Sequence, residues 1–173
     1  MINIDTAVFY FFSKTCHNAV LDVLMPCVTE LGNSKILFLI AVIFLFIRKK
    51  RIRISGILLM AGLLFSYYTV HALKDLVERP RPFMVLEGVT ALISVDGPSF
   101  PSGHATVAFF TALIMTKCFR RWYIFYSAAA AVAVSRIYLG VHYPLDVVAG
   151  AVLGTVIGYI LVHVSKKTGM FEA

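Results

Sequence analysis

An all-α bundle of about five or six transmembrane spans, with interfacial helices at its amino terminus, is the fold class this sequence predicts. Three observations carry it. Of 173 residues, 60% are hydrophobic and 14% charged, with a mean hydropathy of +0.85; a soluble domain carries about 25% charge. The apolar residues run in stretches approaching the roughly 20 that a helix needs to cross a hydrocarbon core. The basic residues fall in short clusters between those stretches. Too few polar side chains remain to face water, so lipid is the solvent for much of the surface. The clustering also places the net charge of +7 for a bilayer and not for a nucleic acid.

The elements follow in chain order. Residues 7–12 and 19–28 are apolar, but Asp22, Pro26 and Glu30 interrupt the second run. Neither spans comfortably, so residues 1–32 are expected as interfacial helices at the non-cytoplasmic face, with a sixth span as the alternative. Residues 1–14 lack the basic region, apolar core and cleavage site of a signal peptide. Residues 36–47 form a short span with Ser34 as N-cap, and 54–73 a full one. Residues 105–118 reach span length if the helix begins near Ser102, and 122–138 and 145–164 complete the set. No linker, repeat or low-complexity tract divides the chain, so residues 1–173 form one domain, with its motif-bearing core at about 54–164.

Charge orients the spans. Arg48, Lys49, Lys50, Arg51 and Arg53 join the first two. Lys117, Arg120 and Arg121 join the third and fourth, and Lys166 and Lys167 follow the last. Alternate crossings place all three clusters on one side, which the positive-inside rule makes the cytoplasm. The loop 74–103 and the turn 140–144 then lie on the opposite side. Cys16, Cys27 and Cys118 have no metal-ligand spacing. Cys118 is expected as a small apolar filler, and Cys16 and Cys27 as unpaired.

Polar residues gather where lipid should exclude them. Lys74, Arg79 and Arg81 follow the second span, Ser102 and His104 open the third, Arg136 ends the fourth, and His142 and Asp146 open the fifth. Singly, each has an ordinary reading: a snorkelling cation, an interhelical ion pair or a hydrogen-bonded structural histidine. Together they lie at one predicted depth on one side, and ionisable groups there mark functional sites. Arginine forks and a lysine point charge neutralise phosphate oxygens. One histidine can attack phosphorus while a carboxylate fixes its tautomer, and a second can protonate the leaving oxygen. The turn Pro101-Ser102-Gly103-His104 opens a helix whose free N–H groups receive anions, and Gly103 allows close backbone approach.

Three motifs resemble those of the type 2 phosphatidic acid phosphatases, whose catalytic constellation is shared with vanadium-dependent haloperoxidases. The first is Lys74, six residues, then Arg81-Pro82. The second is Pro101-Ser102-Gly103-His104. The third is Ser135-Arg136, five residues, His142, three residues, Asp146. All match in family order, and the resemblance covers about residues 54–164. It implies a six-span membrane phosphatase with His142 as nucleophile, Asp146 orienting it and His104 as acid and then base. Lys74, Arg81, Ser102, Gly103 and Arg136 would bind phosphate. It implies no metal or other cofactor, and no carboxylate pair here suggests a divalent-ion site.

Pro80 and Pro82 fix the backbone around Arg81, so Arg79 points elsewhere and is a candidate second-phosphate or headgroup contact, against the reading of a surface arginine. Asp75, Glu78, Glu87 and Asp96 are expected to be solvated. The implied substrate is a membrane lipid: undecaprenyl diphosphate or lipid A 1-phosphate ahead of phosphatidylglycerol phosphate and phosphatidic acid. The implied location is a bacterial inner membrane, with the site facing the periplasm or exterior. A transporter or channel using these charges as an anion site would need polar residues through the bilayer midplane, and the middles of these spans are apolar. A haloperoxidase would ordinarily be soluble, against this composition.

Overall fold

The computed structural model describes residues 4–168, and these are helical with no strand among them. α1 (Ile4–Tyr10) runs into a π-helical turn (Phe11–Thr15). Asn18 then starts α2 (Ala19–Thr29), its Oδ1 accepting from the Val20 and Leu21 N–H groups at 3.1 and 3.0 Å, as an N-cap does. A 3₁₀ turn (Glu30–Gly32) leads to α3 (Ser34–Phe46). The cap of α3 is Asn33, not Ser34. Asn33 has the extended backbone a cap needs and accepts from Lys35 N at 2.9 Å, whereas Ser34 is already helical.

α4 (Lys50–Val77) has 28 residues, about 42 Å at 1.5 Å per residue. It is longer than its apolar run because the basic residues before Ile54 join its first turns. Glu78 ends it in the left-handed conformation, donating its N–H to Lys74 O at 2.9 Å. Pro80 and Pro82 prevent resumption in register, and only the short α5 (Pro82–Val85) follows. After an irregular loop come α6 (Gly103–Phe119), α7 (Trp122–Tyr138) and α8 (Pro144–Lys167). α4 and α8 are each long and apolar enough to cross a bilayer. The region Ala19–Gly32 and α3, bent by 47° at their junction, reach that standard together.

α6 is the central helix, packed against α4, α7 and α8. Its Phe110 and Ile114 are fully buried among Leu59 of α4 and Ile157 of α8. Three glycines on α8, four residues apart, face α6. A Cβ at Gly150 would stand 2.5 Å from Ser102 O, and one at Gly158 would stand 3.2 Å from Phe110 Cα. Small residues at this spacing let two helices meet backbone to backbone. This seam sets the start of α8 beside the start of α6.

The outward face of α8 is apolar too: Leu145, Val148, Val152, Val156 and Ile160 are all exposed. A helix apolar on every side suits lipid. The basic clusters meet at the end away from the α6 and α8 starts. Arg51 donates to Lys117 O, and Lys117 and Lys166 line one cavity there. All three cysteines are free and Cys118 is buried.

Candidate active site

Four helix ends converge at the other end of the bundle. The end of α4 and the loop beyond it bring Lys74, Arg79 and Arg81; the start of α6 brings Ser102, Gly103 and His104. α7 brings Arg136 in its last turn. The Leu139–Tyr143 turn brings His142, and the first turn of α8 brings Asp146. Gly140 makes that turn at φ +77°, where a side chain would be strained and a Cβ would meet Thr90 O at 3.1 Å.

His142 and Asp146 are one helical turn apart and both buried, with Nδ1 3.6 Å from Asp146 Oδ2. That is an ion-pair contact, longer than a hydrogen bond, and His142 Nδ1 has no hydrogen-bond partner among the described residues. Asp146 Oδ2 accepts from Tyr143 N at 2.9 Å. The other imidazole nitrogen, Nε2, lies 3.5 Å from Arg81 Nη1. Nε2 therefore faces the cationic side and Nδ1 the carboxylate. The turn carrying His142 lies outside the spanning helices. Burial pulls this imidazole down from 6.5 to about 4; Arg136 and Arg81 push the same way, and Asp146 opposes.

Arg81 is held by main-chain carbonyls: Nε donates to Gly97 O at 2.8 Å, Nη2 to Asp96 O at 2.9 Å and Nη1 to Val141 O at 3.0 Å. Lys74 Nζ donates to Pro98 O. The loop before α6 thus fixes two cations with uncharged acceptors. Ser99 pins that loop, its N–H donating to Arg79 O at 2.8 Å and its hydroxyl to Pro80 O at 3.2 Å. Arg136 is buried, donating from Nη1 to Thr29 Oγ1 at 2.9 Å, while its Nε lacks a partner among the described residues. A buried, unpaired donor of this kind calls for an explanation.

Ser102 is fully buried and caps α6, its Oγ accepting from Ala105 N at 3.4 Å while its own N–H donates to Asp146 O at 2.9 Å. His104 is half-buried and lies within electrostatic range of Arg136, His142 and Arg81. It also lines a cavity of about 880 Å³ between α3, α4 and α6, walled by Phe38, Leu64, Tyr67 and Val107 and reaching Gly103. Asp75, Glu78, Glu87 and Asp96 are all exposed.

Arg79 is 27% exposed and joins two carboxylates, Nη1 to Asp146 Oδ1 and Nη2 to Asp5 Oδ2, both at 2.6 Å. Its guanidinium carbon lies 3.9 Å from the centre of the Tyr143 ring. Sequence reasoning did not assign Asp5, Thr29 or Tyr143 to the site, nor the carbonyls at 96–98. Asp5 is a single acidic residue in an apolar stretch, and no spacing links it to the other site residues. Nothing in the sequence marks a carbonyl as a ligand holder.

The chain resembles known proteins in sequence and in fold. The sequence profile described as "PAP2 superfamily" matches residues 55–170. The chain is 30% identical to the undecaprenyl-diphosphatase BcrC of Bacillus subtilis, over 86% of this chain and 77% of that protein. It is also 30% identical to an undecaprenyl-diphosphatase of Sulfolobus acidocaldarius, over 87% and 73%. Among solved structures, Aquifex aeolicus LpxE superposes with a TM-score of 0.81 at 28% identity, covering 93% of this chain and 96% of that one. A transmembrane PAP2-type phosphatidylglycerolphosphate phosphatase of Bacillus subtilis superposes with a TM-score of 0.79 at 27% identity, covering 95% and 88%. With two thirds of its length matched by the profile and its helices superposing on those two structures, this chain belongs to the PAP2 superfamily.

Proposed function

We propose that this protein is an integral membrane phosphatase that hydrolyses a lipid phosphomonoester or diphosphate at the non-cytoplasmic face of a bacterial inner membrane. The observation that carries the reading is a juxtaposition. Three cations, Lys74, Arg81 and Arg136, cluster with two histidines, and one of these histidines, His104, also lines an apolar cavity. Such a cavity suits a lipid tail, and the cations suit its phosphate.

The chemistry follows from the orientation of each group. Nε2 of His142 attacks phosphorus, forming a P–N bond as the P–O bond to the lipid breaks. Nδ1 faces Asp146, which stabilises the charge arising on the ring. His104 donates a proton to the departing lipid oxygen. It then takes a proton from water, whose oxygen attacks phosphorus and breaks the P–N bond, releasing inorganic phosphate. Arg81, Lys74 and Arg136 hold the phosphoryl oxygens throughout, with the Arg136 Nε–H as a ready donor. Ser102 and the Gly103 N–H at the start of α6 add further donors. No metal ion enters this scheme.

Undecaprenyl diphosphate and lipid A 1-phosphate are the favoured substrates, ahead of phosphatidylglycerol phosphate and phosphatidic acid. Relatives named as undecaprenyl-diphosphatases support the first. The test is phosphate release from these four lipids by detergent-purified protein with chelator present, for wild type and His142→Ala. Release by wild type, abolished by the substitution, supports the mechanism and ranks the lipids. Equal release by both, or dependence on a divalent ion, rules it out.

A further inference from the structure

The geometry points to Arg79 and Asp5 as positioning residues for the reaction: the amino-terminal helix, through Asp5, holds Arg79 on the carboxylate that orients His142. This rests on the phosphohistidine reading above and adds two residues to it.

Asp146 has two oxygens with different duties. Oδ2 accepts from Tyr143 N at 2.9 Å and faces His142 Nδ1 at 3.6 Å. Oδ1 is taken by Arg79 Nη1 at 2.6 Å. With one oxygen pinned, the carboxylate cannot rotate away from the histidine without breaking a short charge-assisted bond. Arg79 is itself fixed on two more sides. Its guanidinium lies over the Tyr143 ring at 3.9 Å, and its Nη2 is held by Asp5 Oδ2 at 2.6 Å. Asp5 is buried, and its Oδ1 accepts from Leu145 N at 2.8 Å, in the first turn of α8. Two carboxylates thus sit on the start of α8, where the helix dipole favours them, with one guanidinium spanning the gap. Asp5 lies far from the other site residues in sequence, yet it closes this network.

Arg79 also places a positive charge beside the carboxylate that faces the nucleophile. The charged and titratable groups acting on His142 are Arg81 from beyond α4, His104 from α6, Arg136 from α7 and Asp146 from α8, with Lys74 acting on Arg81 and Asp146. Removing Arg79 leaves Asp146 less neutralised, so protonated His142 becomes easier to form and the neutral nucleophile is lost at higher pH.

The test is a kcat, KM and pH-profile comparison of Arg79→Ala, Asp5→Asn, the double variant and Arg79→Lys, alongside wild type and His142→Ala, in detergent with a fixed lipid substrate. Asp5→Asn keeps the shape of the side chain, so the test survives if Arg79→Ala fails to fold. The expected result is a kcat about 10²-fold lower for Arg79→Ala at nearly unchanged KM, and about 10-fold lower for Asp5→Asn. The acid limb of kcat/KM moves upward in Arg79→Ala, the double variant resembles Arg79→Ala alone, and Arg79→Lys recovers part of the loss. Unchanged kcat and acid limb in both single variants would overturn the inference while leaving the phosphatase reading intact. So would a rise in KM for particular lipids without a limb shift, which would make Arg79 a headgroup contact. Undiminished activity in His142→Ala would overturn the inference together with the reading on which it rests.

Discussion

Gly154 of α8 lies so close to Thr106 of α6 that a Cβ on it would stand 2.1 Å from the Thr106 carbonyl oxygen. The contact involves backbone, which cannot swing aside as a flexible side chain would. It lies about two turns into α8 from Asp146 and one turn into α6 from Ser102, where it fixes how Ser102–His104 meets His142–Asp146. Gly154→Ala should therefore cost about 1–3 kcal/mol of stability and also lower activity, because the helix starts separate. Thermal unfolding in detergent, read beside phosphate release, checks both effects. A variant as stable and active as wild type would show that the seam yields without moving the site.

Arg81→Lys should fold and yet lose most activity. A lysine cannot reproduce a fork that meets Gly97 O, Asp96 O and Val141 O together, nor keep a donor beside His142 Nε2. A fall of about 10²-fold in kcat/KM is expected. Steady-state kinetics on the preferred lipid measures it.

Burial lowers the His142 imidazole to about 4, so the proposed nucleophile stays neutral through mildly acidic conditions, and the acid limb it contributes should fall near pH 4. Stability moves with the same group. Between about 6.5 and 4 the unfolded histidine binds a proton that the folded one refuses, so its contribution to stability is lost as pH falls through that window and levels off below it. His142→Asn should flatten that part of a stability-against-pH curve. Melting temperatures from pH 7 to pH 4 would show it.

Leu64→Trp should fill part of the cavity between α3, α4 and α6. Long-chain substrates would then lose about 1–3 kcal/mol of binding, seen as a KM about 10-fold higher or more. A water-soluble short-chain phosphate, needing only the cationic end, should be turned over as by wild type. The ratio of the two KM values is the readout.

Much of this was legible in the sequence because the constraints are one-dimensional. A membrane span must be long and apolar, so α4 and α8 could be read directly. The motifs sit at helix ends, so their residues come together once the helices pack. Asp5 and Thr29 were not legible, because their roles exist only through Arg79 and Arg136 and no spacing links them. The α3 cap was misplaced by one residue, since Asn33 and Ser34 are both good caps and only backbone conformation decides between them. The bend between α2 and α3 follows a Gly-Asn junction that hydropathy alone does not distinguish from an interfacial break.

The carbonyls that hold Lys74 and Arg81 have one more consequence. They orient the cations without offsetting their charge, as carboxylates in those places would. The resting site is therefore an electropositive well awaiting a dianion, and each turnover ends with a free dianion lying in it. On the proposed mechanism, escape of inorganic phosphate is then expected to be slow, and phosphate or an oxyanion of its shape is expected to inhibit competitively.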